Sequence, residues 1–177
     1  MKATRIQDGS RLLAGTLAVA VVMACSLPGA LATGTVGSVV EAKGIALREA
    51  RLGEPDVMMT HLTENVVNGR RVYRVEFVVS GVLYRYGIDV ESGEVVLAET
   101  EMAAGSLAAL EGSCIQMSSA MDVALAEVGV GQATFTEVAL VDVDGGAAYS
   151  VELVAAGQAY AVMVDAQDGG VLWVEAR

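Results

Sequence analysis

Carboxylates gathered in turns are the residues of this chain best placed to do chemistry. Asp89, Glu91 and Glu94 form one group, Asp165 and Asp168 a second, and Asp142 with Asp144 a third. Hard cations such as calcium take about 6–8 oxygen ligands, which three carboxylates, backbone carbonyls and water can supply. The competing chemistry is local. An Asp ahead of a Gly-containing turn accepts hydrogen bonds from its own backbone, and this is the expectation for Asp89 and Asp165. His61 is the only histidine, which excludes a two-histidine zinc site and a zinc-finger pair. No Gly-x-Ser-x-Gly occurs, and Cys114 with His61 is the one nucleophile and base that could be paired, at positions that nothing brings together. The expectation is no catalytic residue, no metal and no cofactor: the chain is not read as an enzyme.

Other groups could bind rather than react. Arg70, Arg71, Arg74 and Arg85 are concentrated in one stretch, and Tyr73, Tyr84, Tyr149 and Tyr160 are spaced evenly in two. Tyr is favoured at interfaces, and a row of arginines suits an acidic or carboxylate-bearing partner. The plainer readings are tyrosines packed in a core with the hydroxyl at a sheet edge, and arginines paired with Glu76 and Asp89 on a solvated face and with the acidic second copy across the interface. The candidate binding set is Arg74, Arg85, Asp89, Asp165, Tyr84 and Tyr160.

What must position these residues is a duplication. Tyr73, Val75, Glu76, Val78, Gly81, Tyr84, Asp89, Gly93 and Val95 recur without a gap as Tyr149, Val151, Glu152, Val154, Gly157, Tyr160, Asp165, Gly169 and Val171, each 76 positions on. The 177 residues therefore divide into two units of about 60 residues. Units so small bury too little surface to be secure alone, so each is expected to pack on its twin or on a partner. The copies differ where the first has Arg70, Arg71, Arg74 and Arg85, since the second has Gly146, Ala147, Ser150 and Ala161. An arginine-lined sheet would belong to the first copy only.

Each unit reads as a helix followed by strands. Residues 39–52 carry Ala42, Ala46 and Ala50 at spacing four, with Gly53 and Pro55 as the stop. Met117, Met121, Ala124 and Val128 mark the second helix, with Ser119 and Asp122 as a capping box and Gly129 at its end. The period then falls to 2. A first strand at 57–66 leads through Asn68-Gly69, a strong hairpin signal, to a second with Tyr73, Val75, Phe77 and Val79 on one face. Ser80-Gly81 and Ser92-Gly93 turn the chain into a third strand and a fourth. The fold class is α+β, two tandem repeats each with one helix on a small antiparallel meander. The divisions are 39–101 and 114–177, joined by a Gly, Ser and Ala rich linker at 102–113.

Residues 1–32 read as a secretory signal. Lys2, Arg5 and Arg11 precede an apolar run over 12–24, too short to span a bilayer, and Ala30-Leu31-Ala32 is a small-residue cleavage site. Val22-Met23-Ala24-Cys25 offers the alternative of a lipid anchor through Cys25. Cleavage leaves 8 Lys and Arg against 21 Asp and Glu, a net charge of −13, which repels nucleic acid and anionic lipid. The expected address is exported, periplasmic or extracellular, with no transmembrane helix in the mature chain.

The ordered set of an Ala-containing helix, Tyr-x-Val-Glu, Gly-x-x-Tyr and Ile/Val-Asp-x-x-x-Gly-x-Val, present twice, resembles the PepSY (peptidase-propeptide-like) family over about 42–101 and 118–175. The resemblance implies a bacterial exported domain, with a helix packed on a small antiparallel sheet. Similar domains occur in propeptides of thermolysin-like metalloproteases, where they restrain the protease, and in cell-envelope proteins singly or in tandem. This chain departs from that pattern in carrying no protease domain and in the lower Ala content of its first helix. The implied function is a non-enzymatic binding or regulatory module, peptidase-inhibitory or chaperone-like. Its partner would be another exported protein supplied in trans, with an exported peptidase among the candidates. The alternative is a sensory module of the cell envelope that takes a cation or small ligand. Mass spectrometry of the exported protein is expected to find Thr33 at the N-terminus, and a diacylated Cys25 would replace that reading with the anchored one.

Overall fold

The computed structural model describes residues 11–12, 35–67 and 69–177. The signal segment, its cleavage site and Cys25 lie outside the described residues, as does Asn68. Within 1–32 only Arg11 and Leu12 are described, as a two-residue pairing with Asp142 and Val141.

Helix α1 spans Val39–Ala50 because its small residues at spacing four give a narrow apolar stripe, and Ala42 and Ala46 are completely buried. Ser38 caps it by accepting from the Glu41 amide at 3.2 Å, while the Glu41 carboxylate reaches back to the Gly37 amide at 2.9 Å. After a 3₁₀ turn at Glu54–Asp56 come four strands, β1 (Met58–Val67), β2 (Arg70–Val79), β3 (Val82–Asp89) and β4 (Val95–Met102). A short helix, α2 (Gly105–Ala109), lies in the linker, and α3 (Met117–Val128) follows. Four more strands close the chain: β5 (Thr134–Val143), β6 (Gly146–Ala155), β7 (Gln158–Asp165) and β8 (Val171–Ala176).

The bounds of β5, β6 and β7 are those of β1, β2 and β3 moved on by 76. So are the irregularities. Bulges fall between Met59 and His61 and between Phe135 and Glu137, then again at Gly87/Ile88 and Met163/Val164. The turn pairs Ser80-Gly81 and Ala156-Gly157 have positive φ at both residues, the geometry that lets a two-residue hairpin match the twist of its strands.

The eight strands form one antiparallel sheet in the order β4-β3-β2-β1-β5-β6-β7-β8. The expectation of two separate small sheets is corrected at this point. In each meander the first strand has one ladder side free, and β1 and β5 satisfy each other's backbone groups by pairing. Leu62 stands opposite Val138, with His61 opposite Ala139 and Thr63 opposite Glu137. Because 138 is 62 plus 76, the central pair joins equivalent positions, and the seam is self-complementary in the way of a two-fold interface.

Both helices lie on one face of this sheet, and their stripes join its inward side chains in one apolar cluster that includes Leu62, Val75, Phe77, Val138, Val151 and Val162. Phe77 stacks on Tyr84 and Tyr86 at centroid separations of 5.1 and 5.9 Å. Tyr149 is buried with them and sends its hydroxyl to the Ile115 carbonyl at 3.1 Å, with the Met59 carbonyl 3.5 Å away. That hydroxyl ties β6, the entry to α3 and the bulge of β1 together at the seam.

The start of α3 differs from expectation. Its N-cap is Gln116, which makes no side-chain cap bond, and Ser119 and Asp122 lie inside the helix rather than forming a capping box. Met117 explains the shift: it is almost fully buried, and a helix that starts three residues earlier than a Ser119 cap would set places it on the core stripe with Met121 and Ala124. The far ends follow the usual chemistry unequally. Gly129 closes α3 in the left-handed region at φ 75°, whereas α1 closes on Arg51 at φ 58°. A side chain there costs about 1–2 kcal/mol, partly offset by glycine's greater freedom in the unfolded chain. Arg51 is exposed, so Arg51→Gly is expected to stabilise by about 0.5–1 kcal/mol. A melting temperature equal to or below that of the parent would contradict this.

Candidate functional site

The face of the sheet away from the helices carries the polar side chains. In the first half Glu76 is its centre, nearly buried between two arginines. Arg74, two residues before it on the same strand, donates Nε to Glu76 Oε1 at 2.6 Å, and Arg85, directly opposite on β3, does so at 3.2 Å. The other arm of Arg85 meets Glu101 on β4 at 2.5 Å. That bond, with Glu76 beside it, raises the already high guanidinium pKa of Arg85 further. Cross-strand opposite charges of this kind each contribute about 0.2–1 kcal/mol. Arg71 pairs with Glu64 at 2.6 Å, and Arg70 comes within 4.0 Å of Asp89. All four arginines of the cluster therefore face carboxylates of the same half, which favours pairing over a free cationic surface and corrects the expectation that they also pair with the second copy across the interface.

In the second half the same place is rebuilt with the charges moved. Ala161 stands where Arg85 does, and Arg177, at the position equivalent to Glu101, reaches Glu152 at 2.6 Å. Between the halves, His61 Nε2 lies 3.1 Å from Glu137 Oε1 across the seam. This contact holds the Glu137 carboxyl below its ordinary value, against the opposing effect of burial.

The acidic turns are closed on themselves. Asp89 Oδ1 accepts from the amides of Glu91 and Ser92 at 3.0 and 2.9 Å and from the Ser92 hydroxyl at 3.0 Å. Asp165 Oδ1 accepts from the amides of Gln167 and Asp168 at 2.7 and 3.2 Å. Gly93 and Gly169 donate to the carbonyls of those same Asp residues with φ of 70° and 77°, which explains the Asp-x-x-x-Gly spacing. Among the described residues no three His, Cys, Asp or Glu gather in a way that could hold a metal ion.

The six expected binding residues do not assemble into one site. Arg74 and Arg85 lie on the open face, Tyr84 and Tyr160 are half-buried against the core, and Asp89 and Asp165 sit in separate turns. Cys114 precedes α3, half-buried, with its thiol pKa raised by burial, so it is not poised as a thiolate. Among the described residues, one hollow of about 210 Å³ lies under Pro55, Met58 and Cys114, and another of about 320 Å³ beside Gln132 and Ala156. Neither contains His61.

Sequence reasoning missed three polar contacts. Glu111 of the linker accepts from the amides of both Ser80 and Gly81, pinning the linker to the β2–β3 turn. Lys43 is buried on α1 and meets Glu54 at 2.7 Å. The third is the His61–Glu137 contact. Lys43 and Glu54 are 11 residues apart, whereas the other contacts join positions 30 or more residues apart.

No family model matches the chain. A protein of Streptococcus pyogenes serotype M6 described as uncharacterized, Spy1430, is 38% identical over 61 residues, which are 34% of this chain and 47% of that protein. The chain thus spans about half the length of the curated relative it matches. Among solved structures, a candidate lipoprotein from Clostridium difficile 630 aligns over 81% of this chain and 95% of its own, at 22% identity and a TM-score of 0.42. The YpeB C-terminal domain of Bacillus megaterium aligns over 84% of this chain and 69% of its own, at 14% identity and a TM-score of 0.34. No enzyme family is indicated by these similarities. Both TM-scores fall below 0.5, and nothing about function is carried over from either structure.

The turn of Asp89 has a measurable signature. Its carboxyl is held below the ordinary 3.8 first by the Ser92 amide and hydroxyl, then by the Glu91 amide and Arg70, with burial opposing them. A depressed pKa in the folded state gives stability that is present above the unfolded pKa and is lost as pH falls through the folded one. Stability is therefore expected to drop below about pH 4, and Asp89→Asn should flatten that acid limb. Superimposable acid limbs for the two proteins would show that Asp89 does not carry the effect.

Proposed function

We propose that the chain is an exported, non-enzymatic binding or regulatory protein built of two tandem PepSY-like units. Its target is another envelope or secreted protein, with an exported peptidase the leading class. One observation carries the reading: the residues of the repeated motif occupy matching strands, turns and bulges in both halves of the sheet. The motif thus describes a structural unit, helix on meander, and that unit is what the resemblance implies. The export reading rests on the basic and apolar pattern of residues 1–32. Among the described residues, no helix is long and apolar enough to cross a membrane. The cation-sensing alternative draws little from the turns, since Asp89 and Asp165 each commit one carboxylate oxygen to their own turn amides.

Capture from the envelope fraction with the purified chain, followed by in-cell cross-linking of the same pair, tests this function. A saturable complex with one exported protein is expected, and recovery at background level in both experiments would count heavily against it. The paired arginines make a second expectation. Arg74→Glu with Arg85→Glu places four carboxylates together, so the melting temperature should fall while partner binding survives in the folded fraction. Lost binding with an unchanged melting temperature would restore these residues to the interface.

A further inference from the structure

We propose that β5 beyond the seam is a strand-addition site, and that the signal segment's own Arg11–Leu12 occupies it in the uncleaved chain. Removal of residues 1–32 then opens it. The seam registers only at His61, Leu62 and Thr63, opposite Ala139, Val138 and Glu137. β5 continues to Val143, while the bulge between Met59 and His61 carries β1 away from it. The last stretch of β5 therefore keeps β6 on one side and has parted from β1 on the other.

The ladder shows which backbone groups face that side. Val143 and Gly146 close the two-residue turn at Asp144-Gly145, so Val143 bonds to β6, and the direction alternates from there. Val141 also turns to β6. Asp142 turns its N–H and C=O away, to the side on which Val138 meets Leu62. There Arg11 stands opposite Asp142 and Leu12 opposite Val141, antiparallel. A segment from the start of the chain thus lies where a further strand completes the ladder of β5.

The sequence of the site fits this occupant. Val141 belongs to a second apolar cluster with Ala139, Ala148 and Met163, each at most 6% exposed. Its register with His61 and Glu76 puts the cluster on the face away from α1 and α3. The equivalent positions of the first half hold Thr63, Asn65, Val72 and Gly87, so the cluster is particular to the second half. Register sets a basic residue opposite Asp142 and an apolar one opposite Val141, pairings that an antiparallel ladder favours. Reach is ample: residues 13–34 can span about 70 Å when extended, about twice the length of a ten-residue strand. The tether also supplies an effective concentration in the millimolar range, which a free segment lacks.

Hydrogen exchange on the full chain tests the pairing. The Asp142 amide is expected to exchange about tenfold more slowly in the parent than in Arg11→Pro, which lacks the N–H that the added strand donates. The Val141 amide, bonded to β6, should be unchanged. Residue 11 lies outside both units, so the variant keeps the fold, and an equal melting temperature above the exchange conditions verifies it. Cutting the full chain after Ala32 tests the opening. Asp142 should then exchange as it does in the variant, and a peptide of residues 8–15 added in trans should restore protection where its Arg11→Pro counterpart does not. Equal exchange at Asp142 in parent and variant would overturn the proposal. So would protection that persists after the cut, which in a monomer makes the segment dispensable and in a dimer seen by sedimentation makes a second copy the occupant. The opening step rests on the reading of residues 1–32 as a cleaved signal; an exported chain left uncut would overturn that step, while the exchange comparison within the full chain stands apart from it.

Discussion

The pairing of β1 with β5 is the constraint on which the rest of the structure depends. Four strands and one short helix leave a meander with two open ladders and an apolar face wider than one helix covers. Joining the two meanders through Leu62 and Val138 removes one ladder from each and merges their inner faces under α1 and α3. Both central side chains are completely buried, the usual contribution of such burial being about 1.5–3 kcal/mol each. The registered contact is short, three residue pairs, because a bulge in each strand turns the chains apart. Tyr149 compensates at one of those bulges by offering its hydroxyl near the Met59 carbonyl.

On the open face each half must place a glutamate at the same strand position, Glu76 or Glu152, and supply it with a cation. The first half uses neighbours on two strands, Arg74 and Arg85. The second has Ser150 and Ala161 at those positions and uses the last residue of the chain instead. Position 101 and position 177 thus hold opposite charges and pair differently: Glu101 meets Arg85 on the adjacent strand, while Arg177 reaches past β7 to Glu152. The feature shared by the halves is a cation on that glutamate, and the need is greater at Glu76, which is nearly buried, than at Glu152, whose side chain is 34% exposed.

Much of this fold was legible in the sequence because its signals are local. The alternation of Tyr73, Val75 and Phe77, the small-residue stripe of α1, and the Gly-containing turns each depend on residues within a few positions of one another. Matching the two halves then fixed the strands of the second from those of the first. The seam was not legible, because any of the four open strands could have joined the halves and the choice rests on a fit between side chains 76 residues apart. The capping box failed for a related reason: burial of Met117 outweighs the modest gain from Ser119, and burial is a tertiary quantity. For the candidate site, the Asp turns followed from spacing, while the neutralisation of Arg85 by Glu101 required knowing that β4 lies next to β3.

Once the seam is fixed, the location of the sheet's remaining chemistry follows. Had the fourth strands joined, the helices would still cover one face, but the exposed edges would be β1 and β5, whose middles carry Leu62 and Val138. Those two side chains face the core, so an exposed seam would have left the centre of the hydrophobic cluster half open. The observed arrangement puts the strands with the least buried sequence, β4 and β8, on the outside. They are then free to diverge, since no inner packing restrains them: the apolar run and the following glutamate of β4 recur in β8, while Leu97, Thr100 and Glu101 give way to Trp173, Ala176 and Arg177. A sheet closed through its most buried pair therefore leaves its two edges as the places where the halves can acquire different surfaces without disturbing the fold they share.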